Sequence, residues 1–246
     1  MTELLYQLDS YIQEFQATVT SFDEANHGII LDRTAFYPGG GGQPFDTGAI
    51  YVGHTSYRVQ RARKMGEDIV HIIESSEPLP SIGSTAQGQI NWSRRYQLMR
   101  THTAMHILCG VIFRDYGASV TGGDMDPLEG RMDFEFETMQ KELVQEIETA
   151  INKEVHNARQ IRVAILSRQE AFQIPDLIRT KINLLPEGIQ QVRVVEIVGL
   201  DLQADGGTHV NNTGEVGPLH IIDYKSKGKI NKRIYLKIGD LDQVSP

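Results

Sequence analysis

From residue 14 to about residue 90 the apolar positions fall in short runs, FQATVTSF, HGIILDR, TGAIYVG, SYRVQR, DIVHII and TAQGQI, several of them alternating with polar positions. Alternation marks a strand with one buried face, and glycine, proline and polar turns separate the runs. Strands this short at this spacing predict a small barrel or sandwich, with SSEPLPSIGS (75–84) as a loop late within it. The pattern changes near residue 90. After NWSRRY, Leu98, Met99, His102, Met105, His106, Cys109, Val111, Ile112 and Phe113 recur at three- and four-residue intervals until Gly117, which predicts a helix. A second amphipathic helix carries Leu143, Val144, Ile147, Ile151 and Val155. Between and after them stand the strand candidates RMDFEFE (131–137), IRVAIL (161–166), VRVVEIV (192–198), PLHIID (218–223) and KRIYLKI (232–238). Segregated helices on a largely antiparallel sheet predict an α+β domain over 91–246, preceded by a small β-barrel domain over 1–90.

Composition narrows the class. With 246 residues, 40% hydrophobic and 23% charged, the chain is an ordinary folded protein, long enough to bury a core without cross-links. Its single cysteine, Cys109, rules out a disulfide framework and reads as intracellular. The start, MTELLYQLDSYIQEF, is acidic and broken by polar residues, unlike a signal peptide, and no stretch approaches the ~20 apolar residues of a membrane span. A cytoplasmic location is the expectation. The net charge is −8, from 24 basic and 32 acidic residues, which argues against a nonspecific nucleic-acid binder held mainly by counterion release. A localised basic face is still compatible with it. The basic residues cluster as Arg61, Arg63 and Lys64, as Arg94, Arg95 and Arg100, and as Lys225, Lys227, Lys229, Lys232 and Arg233. The last cluster has two readings, an anion-binding face or a solvated hairpin edge guarded by lysines.

Three constellations carry chemistry. In RTHTAMH, the four-residue spacing of His102 and His106 stacks two imidazoles on one helix face, close enough to share an ion. Thr103 stands where the HExxH pattern has its glutamate, so this is not a zincin motif. In DGGTH, Gly206 and Gly207 let the chain curl so that Asp205 and His209 point the same way. Together these residues offer three imidazoles and a carboxylate, a set suited to zinc or another borderline divalent metal. In TAFYPGGGGQPFDTG (34–48), four consecutive glycines are able to bring backbone amides close to a phosphate, a ribose or another domain, or simply to make a turn. Neither a Walker loop nor a dinucleotide fingerprint is present. Asp124 and Asp126, in TGGDMDPLEG, read as acids shaping Asx-turns in a turn-rich loop.

These three stretches, in this order and with NWSRRYQLMR (91–100) before the helix, resemble the alanyl-tRNA editing family, that is, the free-standing AlaX proteins and the editing domain of alanyl-tRNA synthetase. The resemblance spans nearly the whole chain. It implies a barrel-like N-terminal domain carrying the glycine motif, followed by a zinc-binding editing domain. It also implies a metal-dependent aminoacyl-tRNA deacylase that acts in trans on mischarged tRNA(Ala), chiefly Ser-tRNA(Ala) and in some members Gly-tRNA(Ala). By resemblance the metal set is His102, His106, Asp205 and His209. His209 has a second reading, as a catalytic residue that hydrogen-bonds the substrate or a metal-bound water. Thr34 is the candidate that rewards the serine hydroxyl, and Gln43 the one that positions water or the 3′-terminal adenosine. Gly40, Gly41 and Gly42 belong to the substrate-binding loop, and Lys225, Lys227 and Lys229 to the expected tRNA face. Arg100 either contacts the terminal phosphates or serves the fold. One departure stands out: the family usually reads Cys-Gly-Gly-Thr-His, and Asp205 replaces the thiolate. A carboxylate still ligates zinc but lowers the softness of the site, so another divalent metal becomes admissible. Two other functions fit the same residues, a metal-dependent hydrolase of another small ester and a non-catalytic metal-containing RNA-binding module.

Overall fold

The computed structural model describes residues 1–175, 177 and 188–241. The chain divides into two compact units, one from Met1 to Tyr96 and the other from Gln97 onward.

The first unit is built from the alternating runs. A two-residue strand β1 (Glu3–Leu4) pairs parallel with β4 (Arg33–Thr34). The strands β2 (Glu14–Asp23), β3 (Gly28–Leu31), β5 (Gly48–Val52), β6 (Thr55–Met65), β7 (Asp68–Glu74) and β8 (Thr85–Ile90) close into an antiparallel barrel in the order β2-β3-β7-β6-β5-β8. Closure removes the unpaired edges that strands this short would otherwise expose. Register shifts between Val19 and Ser21 and between Val59 and Arg61 bend β2 and β6, as bulges do in small barrels. The interior is filled by Val19, Ile29, Leu31, Phe36, Ile50, Val59, Ile69 and Ile73. Residues 75–84 connect β7 to β8.

The helical periodicity becomes α1 (Trp92–Tyr116), which ends at Gly117 with φ +64°. The second unit holds the rest of α1 and two antiparallel sheets. One has the order β14 (Leu219–Ser226), β15 (Asn231–Ile238), β10 (Glu129–Glu135), β9 (Val120–Asp126). The other has the order β11 (Ile161–Ser167), β12 (Gln191–Ile197), β13 (Asp201–Ala204). The second amphipathic pattern is α2 (Lys141–His156), which buries Val144, Ile147, Ile151 and Val155. A short α3 (Arg168–Ala171) starts with a capping box between Ser167 and Glu170. The protein is therefore α+β, with the expected closed barrel and antiparallel sheets. Asp124 and Asp126 depart from expectation. They lie on β9, not in a turn-rich loop, and Asp124 pairs with Arg131 on β10 at 3.2 Å. Gly123 is required on that strand because Met105 packs on it, a Cβ there coming within 3.1 Å of the Met105 methyl. Among the described residues, no helix is long and apolar enough to cross a membrane.

Candidate metal centre

His102 and His106 lie one turn apart on the buried face of α1. Asp205 and His209 come from the segment that follows β13. The expected curl there is an Asx-turn: the Gly207 amide donates to Asp205 Oδ2 at 2.8 Å, and His209 Nε2 reaches the same oxygen at 3.0 Å. His102 Nε2 lies 3.5 Å from Asp205 Oδ1. One ligand atom from each of the four residues falls within 4.8 Å of the others. The three ring centroids are 4.3 to 5.1 Å apart.

The remaining ring nitrogens are held from behind. His106 Nδ1 donates to Asp201 Oδ2 at 3.0 Å, which leaves Nε2 to face the cluster. Gln203 Nε2 donates to the same Asp201 oxygen at 2.7 Å and reaches Cys109 Sγ at 3.3 Å. His209 Nδ1 meets the Thr103 hydroxyl at 3.1 Å, and that hydroxyl also accepts from the Val210 amide. Such outer contacts fix the tautomer and orientation of metal-ligating imidazoles. Arg193 on β12 donates to the Asp205 carbonyl at 2.9 Å and pins the loop that carries the carboxylate.

Electrostatics prepare the donors. Burial holds His102 well below the ordinary histidine pKa, and burial likewise brings His209 down to about 4, so both are neutral with a lone pair to give. Burial also opposes charge on His106, but the hydrogen bond and charge of Asp201 outweigh it and raise this residue. Burial alone would raise Asp205, yet its contacts with the surrounding imidazoles, the His209 hydrogen bond among them, hold its carboxyl well below the usual range. Three imidazoles and one ionised carboxylate, buried and convergent, fit a divalent ion.

The glycine motif is a loop of the first unit. Asp46 N donates to Tyr37 O, and Gly40 and Gln43 close a tight turn through paired backbone bonds of 3.0 and 2.9 Å. Gly39, Gly40, Gly41 and Gly42 all have positive φ, from +57° to +138°, which is why the sequence holds four glycines in a row. A buried ion pair locks the base of the loop. The Arg95 guanidinium forks onto Asp46, while Asp46 Oδ2 accepts the Tyr37 amide at 2.7 Å. Gln43 is buried. Thr34 is fully buried, its hydroxyl 2.8 Å from His71 Nε2 and accepting the Phe36 amide at 3.1 Å. His71 Nδ1 donates to Ile29 O at 2.9 Å, and burial lowers its pKa to about 4, so Nε2 is the acceptor of the Thr34 proton.

Arg100 lies on α1, two residues before His102. It is 6% exposed, and its guanidinium donates to the carbonyls of Val216 and Gly239. Lys225, Lys227 and Lys229 lie along the edge strand β14 and the turn after it, with Lys225 paired to Asp223 at 2.9 Å. From the same basic run, Lys232 is buried and caps that turn through Gly228 O and Lys229 O, and Arg233 forks onto Asp133.

Asp201 and Gln203, behind the cluster, are not among the residues that the sequence singles out. Their signal was present in LDLQAD: Asp201, Gln203 and Asp205 alternate with Leu202 and Ala204, and the two apolar residues pack on the core of the small sheet. His71, a histidine inside the apolar run DIVHII, carried a similar signal.

Comparison with known proteins follows the same division. The profile of class II (A) tRNA synthetases matches residues 6–94, and that of the threonyl and alanyl tRNA synthetase second additional domain matches residues 192–235. The chain is 39% identical to the alanyl-tRNA editing protein AlaX-M of Methanosarcina mazei, covering 100% of this chain and 99% of that one. It is 40% identical to the AlaX-M protein of Saccharolobus solfataricus, covering 97% and 99%. The alanine–tRNA ligase of Ignicoccus hospitalis is 40% identical over 90% of this chain, which spans 24% of the ligase.

Proposed function

This chain belongs to the AlaX-M family of alanyl-tRNA editing proteins, and from that membership together with the geometry of the centre we propose that it is a trans-acting deacylase of mischarged tRNA(Ala). The observation that carries the reading is the convergence of His102, His106, Asp205 and His209 on one buried point. The substrate is chiefly Ser-tRNA(Ala), with Gly-tRNA(Ala) as a second candidate. The chain is read as a barrel domain over 1–90 and an editing domain over 91–246, working in the cytoplasm.

An aminoacyl ester is already activated, so the protein has to place water, stabilise the developing oxyanion and select the side chain. The metal, with zinc as the leading candidate, supplies Lewis acidity when bound by the three histidines and Asp205. His102 and His209 are kept neutral by burial and retain the lone pairs that ligation needs. Asp201 and Thr103 keep the rings of His106 and His209 from rotating away. His209 is the ligand with a second role, since its contact with Thr103 ties it to a hydroxyl able to donate or accept.

Selection against alanine requires rewarding a hydroxyl, because a pocket that admits serine cannot exclude the smaller alanine by size. Thr34 is assigned that task. Its oxygen donates to His71 and accepts from Phe36, which leaves one lone pair for a substrate hydroxyl. Gln43 is assigned to water or the terminal adenosine, the loop of Gly40, Gly41 and Gly42 to the acceptor end, and Lys225, Lys227 and Lys229 to the tRNA backbone.

The test is deacylation of Ser-, Gly- and Ala-tRNA(Ala) by metal-loaded protein and by protein stripped with a chelator. Rapid, metal-dependent loss of serine with alanine spared is the expected result. Folded, metal-loaded protein that hydrolyses none of the three refutes the proposal. Thr34→Val is expected to narrow the serine-over-alanine preference by about tenfold, the scale of one hydrogen bond.

A further inference from the structure

We infer that Phe45, with Arg61 and Arg94 set against its ring, forms a binding site for the phosphate backbone of the tRNA substrate; the inference rests on the deacylase reading and assigns a surface to it. Arg61 comes from β6 and Arg94 from the first turn of α1, and they belong to two separate basic clusters in the sequence. The fold of the first unit joins them. The Arg61 guanidinium lies 4.9 Å from the Phe45 ring centroid and that of Arg94 lies 5.9 Å from it. Both are within cation–π range.

Three observations point to an anion. The first is unspent charge. Elsewhere in the first unit Arg33 pairs with Glu3, Arg58 with Glu74, Arg63 with Asp23 and Arg95 with Asp46. Among the described residues, Arg61 and Arg94 have no carboxylate partner, in a chain whose acids outnumber its bases by 32 to 24. The second is like-charge convergence. Two guanidinium groups on one ring repel each other, and a phosphate between or beside them relieves that repulsion. The third is fixed position. Arg94 Nε donates to the Phe45 carbonyl at 3.3 Å, which leaves its terminal nitrogens for a ligand. Phe45 is itself held by the buried Asp46 that follows it and by Gly39, where a Cβ would come within 3.3 Å of the Phe45 amide. A guanidinium stacked on an aromatic face keeps its N–H edge free for bidentate phosphate recognition, which an ammonium cannot do.

The site adjoins the loop tip, where Gly40 and Gly41 are exposed. A nucleic-acid end lying along this loop meets backbone amides at the tip and the two cations at its base.

The experiment measures binding of uncharged tRNA(Ala) to the metal-loaded protein across a salt series. The variants are Arg61→Ala/Arg94→Ala and, as a control of equal charge removal, the ion-paired Arg33→Ala/Arg58→Ala. The Arg61/Arg94 variant is expected to lower the salt slope by about 2, one for each phosphate no longer neutralised. Its penalty relative to the parent then shrinks about 16-fold as salt rises fourfold. The control is expected to keep the parental slope, and Arg61→Lys/Arg94→Lys to recover the slope but not the full affinity. Equal reductions of affinity in the control and the test variant would make the effect one of net charge and overturn the site. An unchanged slope in the folded Arg61/Arg94 variant of a parent that deacylates Ser-tRNA(Ala) overturns the site alone. A parent that neither binds tRNA(Ala) nor deacylates it overturns the function on which the site rests.

Discussion

Asp201 Oδ2 and His106 Nδ1 meet at 3.0 Å, and this contact decides which nitrogen of the ring faces the other three residues of the cluster. Gly110 makes the contact possible. It sits one turn beyond His106 on α1, and a Cβ there would come within 2.9 Å of Leu200 and 3.0 Å of Asp201 Cβ, so only glycine lets the chain at Leu200–Asp201 lie this close to the helix. Asp201→Asn keeps the shape and removes the charge. It is expected to weaken metal binding by about 10–100-fold, the usual cost of removing an outer carboxylate behind a ligating histidine. Competition against a chromogenic chelator, with an unchanged far-ultraviolet spectrum as the folding control, checks it.

By the resemblance to the editing family, Asp205 stands where that pattern usually reads cysteine. Hard oxygen ligands discriminate poorly between zinc and manganese, whereas sulfur favours zinc. Asp205→Cys is expected to raise the ratio of zinc to manganese bound when the apo-protein is loaded from an equimolar mixture. Metal analysis of the desalted protein gives the ratio directly, and a ratio equal to that of the parent contradicts the expectation.

His71 makes the barrel acid-sensitive. Its folded pKa is about 4 against an ordinary 6.5, so the unfolded chain binds the proton more readily. The associated stability is complete above about pH 6.5, declines as the pH falls toward 4, and amounts to about 3 kcal/mol across that window. His71→Gln should remove this component. Urea unfolding of parent and variant at several pH values shows it as a stability difference that changes by that amount between the two ends.

The Asp46–Arg95 pair is fully buried, and the guanidinium also donates to the carbonyls of Ser10 and Ala35. Breaking such a pair from one side leaves an uncompensated charge in the interior. Asp46→Ala is expected to cost about 3–5 kcal/mol in chemical denaturation. A reduction of less than about 1 kcal/mol would mean that the loop relaxes and admits water to Arg95.

Much of this architecture is legible in the chain because it rests on local periodicity. The six barrel strands and both long helices follow directly from where apolar residues recur. So does the pairing of His102 with His106, since one helical turn fixes it. Asp205 and His209 were legible as a second pair because two glycines between ligand types imply a curl. What escaped depends on contacts between elements far apart in sequence. Strand β9 reads as a loop because Gly122 and Gly123 look like a turn, and only the distant packing of Met105 explains the second of them. Arg95 reads only as one member of a basic cluster and Arg100 stays open between two roles, because nothing local reveals that Asp46 or the carbonyls of Val216 and Gly239 await them. Asp201 and Gln203 were hidden for the same reason, although their alternation with Leu202 and Ala204 marked the face on which they lie.

The glycine loop carries a stereochemical signature. Gly41 sits at φ +57° with nothing within 4 Å of the place where an L side chain would go, so handedness alone, not space, excludes other residues there. An L-alanine at 41 is expected to cost about 1–2 kcal/mol in backbone strain. Its enantiomer has this dihedral as its preferred one. D-Alanine introduced at position 41 by chemical ligation should therefore leave the loop in place and, by restricting the unfolded chain, stabilise it. The tip of this loop is a short stretch of backbone folded in the mirror image of the remainder.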